Sequence, residues 1–338
     1  FCFMRLCLLL FISLHCFTLS SQRKLKGYVY SAKDSTALEA VSIYFDGTTI
    51  GTITNQNGHY SIPVQEGIKS PLVITMMGFA PVYINNYQNS DGKMPAVYLQ
   101  ETAEELDQVF LETDPWTRKR KLHIFKMQFL GNSPEAFQCK ILNEDAIKLH
   151  YSPSKLKLTA WANEPLIIEN KHLGYTVRYT LNDFYAKYEK NLSGLELLNM
   201  VYYEGFSFFQ ELNKRTRKKY IKSREDSYAG STLHFMRSLA QKQLHENGFR
   251  IFYDKFEAPP YLHFEFRKVL NKTYVKLLKE KLSILYDNEE QSSIQTKGTF
   301  VIDAFGNHTP PSAIIMGGAM SSRRFAFMLP LDYKLQAE

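Results

Sequence analysis

Short apolar runs that alternate with polar residues, separated by turn-forming residues, fill positions 24–99 of the chain. A strand with this alternation buries one face, so several such strands form a core by stacking as two sheets. The runs lie at 25–30, 41–45, 48–54, 60–64, 72–76, 82–84 and 96–99. Asn57-Gly58 suits a tight hairpin, because both residue types tolerate positive φ. The pattern predicts an all-β sandwich of about seven strands.

Five glycines of this region, Gly27, Gly47, Gly51, Gly58 and Gly78, stand at fixed places among apolar and threonine positions. The strings are G-x-V at 27–29, A-V-S-I at 40–43, G-T-T-x-G-T-x-T-x-x-x-G-x-Y-x-I at 47–62 and M-G-F at 77–79. In these positions the sequence resembles the carboxypeptidase-regulatory-like domain. We interpret the five glycines as fold-defining, since glycine serves where the backbone needs freedom or close approach.

The resemblance implies a transthyretin-like (prealbumin-like) sandwich over residues 24–111. In that family the domain stands at the N-termini of many TonB-dependent outer-membrane receptors and of other exported proteins, and it carries no catalytic residues. The resemblance therefore specifies a fold and leaves the chemistry of the chain open.

The first 21 residues have the pattern of a secretory signal peptide. Arg5 precedes an apolar run at 6–14, and small or polar residues follow as far as Ser21. The run is shorter than the ~20 residues that span a bilayer. We expect residues 1–21 to be removed and the protein to reach the periplasm, the outer membrane or the cell exterior. Lipidation of Cys16 stays open, since the residues before it are not the small ones of a lipoprotein signal.

Cysteine and charge content limit the kinds of internal cross-link and binding partner that we expect for this chain. Three of the four cysteines lie within 1–21, so the mature chain keeps Cys139, which forms no internal disulfide. The formal net charge is +7, but acidic residues are interspersed except at 118–121 and 214–219. A nucleic-acid partner needs basic residues concentrated on one face, so we expect none. The run 118–121 is typical of a solvated helix face, with contact to anionic lipid headgroups or an acidic partner as the alternative.

The pattern of residues 112–338 predicts a second domain of α+β class, built around a largely antiparallel sheet. Helical spacing appears at 116–130 and 231–246, and strand-like runs extend as far as 325–329. No further apolar run is long enough for a membrane helix. The mature chain is thus expected to lack a transmembrane segment, while peripheral association with a membrane stays open.

A search for catalytic patterns gives only four weak candidates. None of the nine histidines begins a His-x-x-Glu or His-x-x-x-His pair, as a zinc carboxypeptidase would require. His263 and Glu265 share a strand face without a third ligand. Ser231 and His234 are the nearest nucleophile and base, but they lack an orienting group, and Ser231 is first of all a helix N-cap. We therefore assign no catalytic residue, cofactor or metal.

The leading hypothesis is a non-enzymatic module for interaction or assembly in the cell envelope, docking to a protein or a glycan. One alternative is an envelope hydrolase whose site in the second domain gathers His234, Glu265 and Asp303. The other is an accessory component of a TonB-dependent outer-membrane receptor system.

Overall fold

The computed structural model describes residues 23–102 and 112–335. The signal peptide predicted at 1–21, including Cys16, lies outside the described residues. Within these ranges the chain folds around three hydrophobic cores. The first is built mostly from 23–102, and the other two are built from 112–335.

Residues 23–102 form the predicted sandwich, which confirms the all-β class and the number of strands. The strands are β1 (Lys24–Ser31), β2 (Ser42–Phe45), β3 (Gly51–Ile53), β4 (His59–Pro63), β5 (Leu72–Thr75), β6 (Val82–Ile84) and β7 (Val97–Leu99). One sheet has the order β4-β1-β7 and the other the order β3-β2-β5-β6. Leu25 and Val29 on the buried face of β1 share the core with Ile43 and Phe45 of β2.

Strand β3 is shorter than the predicted run 48–54, because the residues before it form a turn. Gly47 takes a φ of 72°. The Thr48 hydroxyl donates to the carbonyl of Phe45 at 2.8 Å, and the N–H of Ile50 donates to that hydroxyl at 3.0 Å. The turn carries Gly47 and Thr48 away from the sandwich sheet and towards the rest of the chain.

The second core lies between helix α1 (Arg118–Phe129) and a six-stranded antiparallel sheet. The strands are β8 (Cys139–Ile141), β9 (Ile147–Ser152), β10 (Lys157–Ala162), β11 (Leu166–Asn170), β12 (Tyr175–Lys190) and β13 (Glu196–Glu211). β12 and β13 form a hairpin, and β10 and β11 pair with the other edge of β12. Phe125 of α1 contacts Phe184, and Phe129 contacts Tyr179, so the helix covers the middle of the hairpin.

The third core contains two further sheets and two helices. Three helices lie in this part of the chain: α2 (Lys218–Tyr228) places Tyr228 in the second core, whereas α3 (Thr232–Gln241) and α4 (Ala319–Ser322) place Phe235 and Met320 in the third. The strands are β14 (Phe249–Tyr253), β15 (Phe256–Ala258), β16 (Phe264–Val269), β17 (Lys272–Leu277), β18 (Lys281–Tyr286), β19 (Glu290–Thr296), β20 (Thr299–Ile302), β21 (His308–Thr309) and β22 (Ile314–Gly318). Their orders are β15-β14-β18-β19-β22 and β16-β17-β20-β21. Helix α3 buries Phe235, Met236 and Leu239 in this core.

The predicted α+β class with antiparallel strands is confirmed for the second region, but the strands form three sheets rather than one. Tight hairpins are one reason: Asp287 and Asn288 take φ values of 48° and 57°, and the turn at 287–289 joins β18 directly to β19. The prediction of a strand at 325–329 is wrong, because Phe325–Phe327 forms a 3-10 turn. Within the described ranges, no helix has the length and apolar character that a membrane crossing requires.

Candidate functional site at the outer edge of strand β13

The outer edge of β13 is the edge that faces away from β12, and the sandwich covers its C-terminal half. The N–H of Gly47 donates to the carbonyl of Ser207 at 2.7 Å, and the N–H of Phe209 donates to the carbonyl of Thr48 at 3.0 Å. Thr48 and Phe208 form a parallel bridge. The turn of the sandwich thus adds a very short strand to the sheet of the second core.

The same turn is held on its other side by residues 331 and 332. The N–H of Leu331 donates to the carbonyl of Gly47 at 2.6 Å. The N–H of Thr49 donates to Oδ1 of Asp332 at 2.9 Å, and the Thr49 hydroxyl donates to Oδ2. Arg237 of α3 donates to the carbonyl of Leu331 at 2.8 Å. The turn therefore lies between two separate segments of the second region, and we call this contact the seam.

One carboxylate lies in the seam. Oδ1 of Asp46 accepts the N–H of Ser207 at 2.7 Å. Burial raises the pKa of Asp46 to about 7, although backbone hydrogen bonds from Ser207 and Gly47 act in the opposite direction. Asp46 in turn adds to the rise in the pKa of Tyr44, whose main cause is burial. The seam thus favours the protonated form of a group that is ordinarily ionised at neutral pH.

Aromatic stacking completes the seam and explains one of the fold-defining glycines. Tyr44 stacks on Phe208 with ring centroids 4.9 Å apart, and Tyr83 stacks on Phe206 at 4.3 Å. A Cβ atom on Gly51 would lie 2.4 Å from the Phe208 ring. Gly51 therefore serves the approach of the second region. Gly47 also lies in the seam, and the other three predicted glycines lie within the sandwich: Gly27 in β1, Gly58 before β4 and Gly78 after β5.

The N-terminal half of the same edge, between Glu196 and Glu204, has no backbone partner among the described residues. Ser207 and Phe209 direct their N–H groups outward, towards Asp46 and Thr48. Because backbone groups alternate along a strand, Val201 also directs its N–H outward. We call residues 196–204 the open edge.

The open edge ends in an apolar hairpin tip. Four large apolar side chains there are exposed to solvent, with fractional exposures of 109% for Leu192, 61% for Leu195, 51% for Leu197 and 40% for Leu198. Single exposed apolar residues are ordinary on a protein surface, whereas here four lie within seven positions at one end of the hairpin. Leu192 and Leu195 lie in the turn itself, so they project beyond the sheet. We call residues 192–198 the leucine tip.

The structure places Ser231 and His234 together without making them a catalytic pair. Oγ of Ser231 accepts the N–H of His234 at 3.1 Å, so the serine caps α3 as predicted. Nδ1 of His234 accepts the N–H of Gly230 at 3.3 Å. Burial, assisted by Arg237 and Arg323, lowers the pKa of His234 to about 4. No hydrogen bond joins the Ser231 hydroxyl to the His234 imidazole, so the histidine does not activate the serine as a nucleophile.

His263 and Glu265 are not brought together with the other candidates. The ring of His263 packs against Tyr253 at 5.1 Å, and Glu265 is exposed on β16 opposite Lys276. Oδ1 of Asp303 accepts backbone N–H groups from the turn at 305–307. None of His234, Glu265 and Asp303 is hydrogen-bonded to another of the three.

Cysteine and metal chemistry find no support in the described ranges. Cys139 is buried, and burial raises the pKa of its thiol to about 12, so the thiolate that reacts or binds metal is disfavoured. Across residues 23–102 and 112–335, no group of three or more His, Cys, Asp or Glu side chains is placed to hold a metal ion.

Comparison with known proteins identifies the first region. The family model of the CarboxypepD_reg-like domain matches residues 25–111, which confirms the resemblance seen in the glycine strings. The chain therefore carries a carboxypeptidase-regulatory-like domain at its N-terminal side. The outward-facing turn at Gly47 and the glycine at 51 both belong to the matched segment, so the seam is built on a conformation that this domain supplies.

The other comparisons add little. No curated protein matches the chain. Among solved structures, a type II cohesin–X-dockerin complex from Acetivibrio cellulolyticus aligns with 22% of this chain and 56% of that chain, at 17% sequence identity. The chain thus spans just over half of that structure's length, and the TM-score of 0.20 is too low to indicate a shared fold.

Proposed function

We propose that this chain is a non-enzymatic, exported interaction protein of the cell envelope that docks a protein partner by strand addition to β13. The observation that carries the proposal is the open edge at Glu196–Glu204, which lacks a backbone partner among the described residues. An unpaired strand edge presents a row of N–H and C=O groups to which an extended segment of another chain can bind.

The covered half of β13 supports this mode of binding. There the Gly47–Thr48 turn already forms hydrogen bonds to the outer edge, in parallel orientation, through Ser207 and Phe209. The strand therefore accepts added backbone where its own chain supplies it. A partner strand would continue the same ladder over the next residues towards the tip.

The leucine tip supports a protein rather than a glycan as the partner. A glycan-binding surface uses polar side chains and aromatic platforms, whereas Leu192, Leu195 and Leu197 offer only apolar surface. Burying exposed leucine side chains contributes ~25 cal/mol per Å² of apolar area. Hydrogen bonds along the open edge would give register, and the tip would give apolar contact at one end.

The hydrolase alternative has no comparable support. Ser231 is engaged as a helix cap, and His234 is partly buried against aromatic rings and has a low pKa. A general base needs a pKa near the working pH and a path to the proton that it removes. Export and the envelope location rest on the pattern of residues 1–21 and on the family resemblance. A receptor of the TonB-dependent system stays one candidate partner.

The test uses the chain without residues 1–21, immobilised and exposed to envelope extract. Val201→Pro removes an outward N–H without removing a donor to β12, since proline is tolerated where the N–H of an edge strand faces solvent. Val201→Ala is the matched control, because it keeps the donor and loses similar packing. We expect Val201→Pro and the double variant Leu192→Asp/Leu195→Asp to lose the captured protein, while Val201→Ala retains it.

A matched control for the tip is Leu270→Asn. Leu270 is 90% exposed in the turn between β16 and β17 and takes a φ of 52°, which asparagine tolerates. Capture should be unchanged in this variant. Hydrogen exchange of the complex should then show protection at 196–204. Equal capture by all four variants, or turnover of a peptide or glycan by the purified chain, would contradict the proposal.

A further inference from the structure

A cavity of about 300 Å³ lies where the three cores meet. Its wall includes Tyr203 of β13, Ser231 and Thr232 at the start of α3, and the segment that ends at Leu331. This volume is at the small end of the range for ligand pockets. A water molecule occupies ~30 Å³ in the liquid. If each non-hydrogen atom of a ligand takes the same volume, the cavity holds about ten of them.

Most of the wall is apolar. The side chains that give it this character are Leu233, Met320, Phe327, Met328 and Leu329. They come from α3, from α4 and from the 3-10 turn that follows it. The main body of any ligand that fills the cavity must therefore be apolar.

Two arginine side chains, Arg323 and Arg324, line the cavity. Arg323 is paired, because its guanidinium donates to both carboxylate oxygens of Glu290 at 2.7 and 2.8 Å. Arg324 also lines the cavity, and its guanidinium has no hydrogen bond or ion pair with any residue of 23–102 or 112–335, while its backbone carbonyl accepts the N–H of Phe327. Its charge is close enough to Tyr203 to oppose the rise that burial causes in the pKa of that phenol. No Asp or Glu is among the described residues of the wall.

Besides the phenol of Tyr203, the wall includes the aliphatic hydroxyl residues Ser231 and Thr232. Oγ of Ser231 accepts the N–H of His234, which leaves the serine proton available to donate. The hydroxyl of Thr232 has no hydrogen bond within the described ranges. His308 also lines the cavity, and burial lowers its pKa to about 4, so it is neutral at pH 7. The polar groups thus supply donors and one unpaired positive charge.

We infer that this cavity binds a small carboxylate with an apolar body of about eight carbons, its carboxylate held by Arg324. A planar guanidinium matches a carboxylate through two parallel N–H···O bonds. The apolar body would lie against Met320, Phe327 and Met328. The same chemistry occurs in a free medium-chain acid and at the C-terminus of an apolar peptide. No covalent step is involved.

The test is calorimetric titration of the whole chain without residues 1–21, with octanoate, octanol and octyl phosphate. Octanoate should bind at least ~10-fold more tightly than octanol, which lacks the charge. It should also bind more tightly than octyl phosphate, because the larger phosphate headgroup exceeds a cavity that holds about ten non-hydrogen atoms. An acetylated apolar dipeptide with a free C-terminus, compared with its amide, distinguishes the peptide source from the free acid. Octanoate that does not bind, or that binds no better than octanol or octyl phosphate, overturns the inference.

The variant Arg324→Gln keeps the length of the side chain and removes the charge. It should weaken octanoate binding at least ~10-fold, while octanol binding is unchanged. Arg215→Gln is the control, since Arg215 is exposed and does not line the cavity. Octanoate affinity that is equal in both variants overturns the role of Arg324. Val201→Pro should bind octanoate normally, so failure of the edge-docking proposal and failure of this one give different results.

Discussion

The two halves of the β13 edge have the same backbone chemistry but different partners. From Ser207 to Phe209 the edge is closed by the Gly47–Thr48 turn, by stacked aromatic rings and by a carboxylate with a raised pKa. From Glu196 to Glu204 the edge has no partner among the described residues, and it ends in exposed leucines. Proteins usually protect a long strand edge, because an unprotected one recruits other chains.

The difference shows that closure depends on contacts between residues far apart in sequence. The closed half needs Gly51, which leaves room for the Phe208 ring, and Thr49, which reaches Asp332. Among the described residues, no hydrogen bond or ring contact joins 196–204 to the sandwich. If the closed half is held by these specific contacts, changing them should cost stability, and the same kind of change at the open half should not.

The largest effect is expected from Gly51→Ala. The new Cβ would meet the Phe208 ring at 2.4 Å, so the ring and the sandwich must separate. We expect a loss of about 3 kcal/mol in the free energy of unfolding, as for overpacked cores. Chemical denaturation measures it. In a Phe208→Ala background the same change should cost less than about 1 kcal/mol, and equal costs in both backgrounds would show that the ring is not the obstacle.

A pH-dependent effect is expected from Asp46→Asn. The pKa of Asp46 is raised in the folded protein to about 7, above the ordinary aspartate value of 3.8, so the stability that the protonated group contributes is lost as pH rises from about 4 through about 7. Asparagine keeps the acceptor for Ser207 without the charge. We expect the unfolding free energy of the variant to match that of the parent near pH 4 and to exceed it by about 2 kcal/mol at pH 8, which is roughly half of what the full shift would give, because Asp46 is partly exposed and solvent screens its charge.

Comparing the unfolding free energies of the parent and the Asp46→Asn variant at each pH separates the effect of Asp46 from the effects of His234 and His308. The low pKa values of these two histidines oppose the trend in the parent, and they remain in the variant. A difference in unfolding free energy that does not change between pH 4 and pH 8 would contradict the raised pKa of Asp46.

The smallest effect is expected from Thr49→Val. This variant loses the hydroxyl donor to Asp332 but keeps the backbone N–H that bonds to the same carboxylate. Because Thr49 is exposed, we expect a loss of about 0.5–1 kcal/mol in unfolding free energy. A loss as large as that of Gly51→Ala would mean that residue 332 holds the seam more strongly than the aromatic stacking does.

The sandwich could be predicted from the sequence because its signals are local. Alternation at 25–30 and 60–64, and a glycine with positive φ at Gly58, specify strands and turns within a few residues. The seam could not be predicted in this way. Asp46 and Ser207 are 161 positions apart, and Thr49 and Asp332 are 283 apart. Nothing in the local pattern of either partner identifies the other.

In the second region, the local sequence pattern likewise does not predict how the strands are divided among sheets. Its strands alternate correctly, but pattern alone does not tell which strands share a sheet, so one sheet was predicted where three form. The run 325–329 is apolar because Phe325 and Leu329 are buried in the second core, which a 3-10 turn achieves as well as a strand. The cavity arises where separate cores meet, so no single segment of sequence predicts it. In the sequence Arg324 is one of many basic residues, and no motif around it indicates a binding role.

The bond between Thr49 and Asp332 also sets an order of events during synthesis. The sandwich can form as soon as its own seven strands have been made, but the Gly47–Thr49 turn gains its last contacts only when residues 331 and 332 have emerged. Long loops delay such contacts, because their closure entropy must be overcome first. If the chain crosses a membrane before folding, as its first 21 residues predict, docking of the two regions would be one of the last steps after translocation.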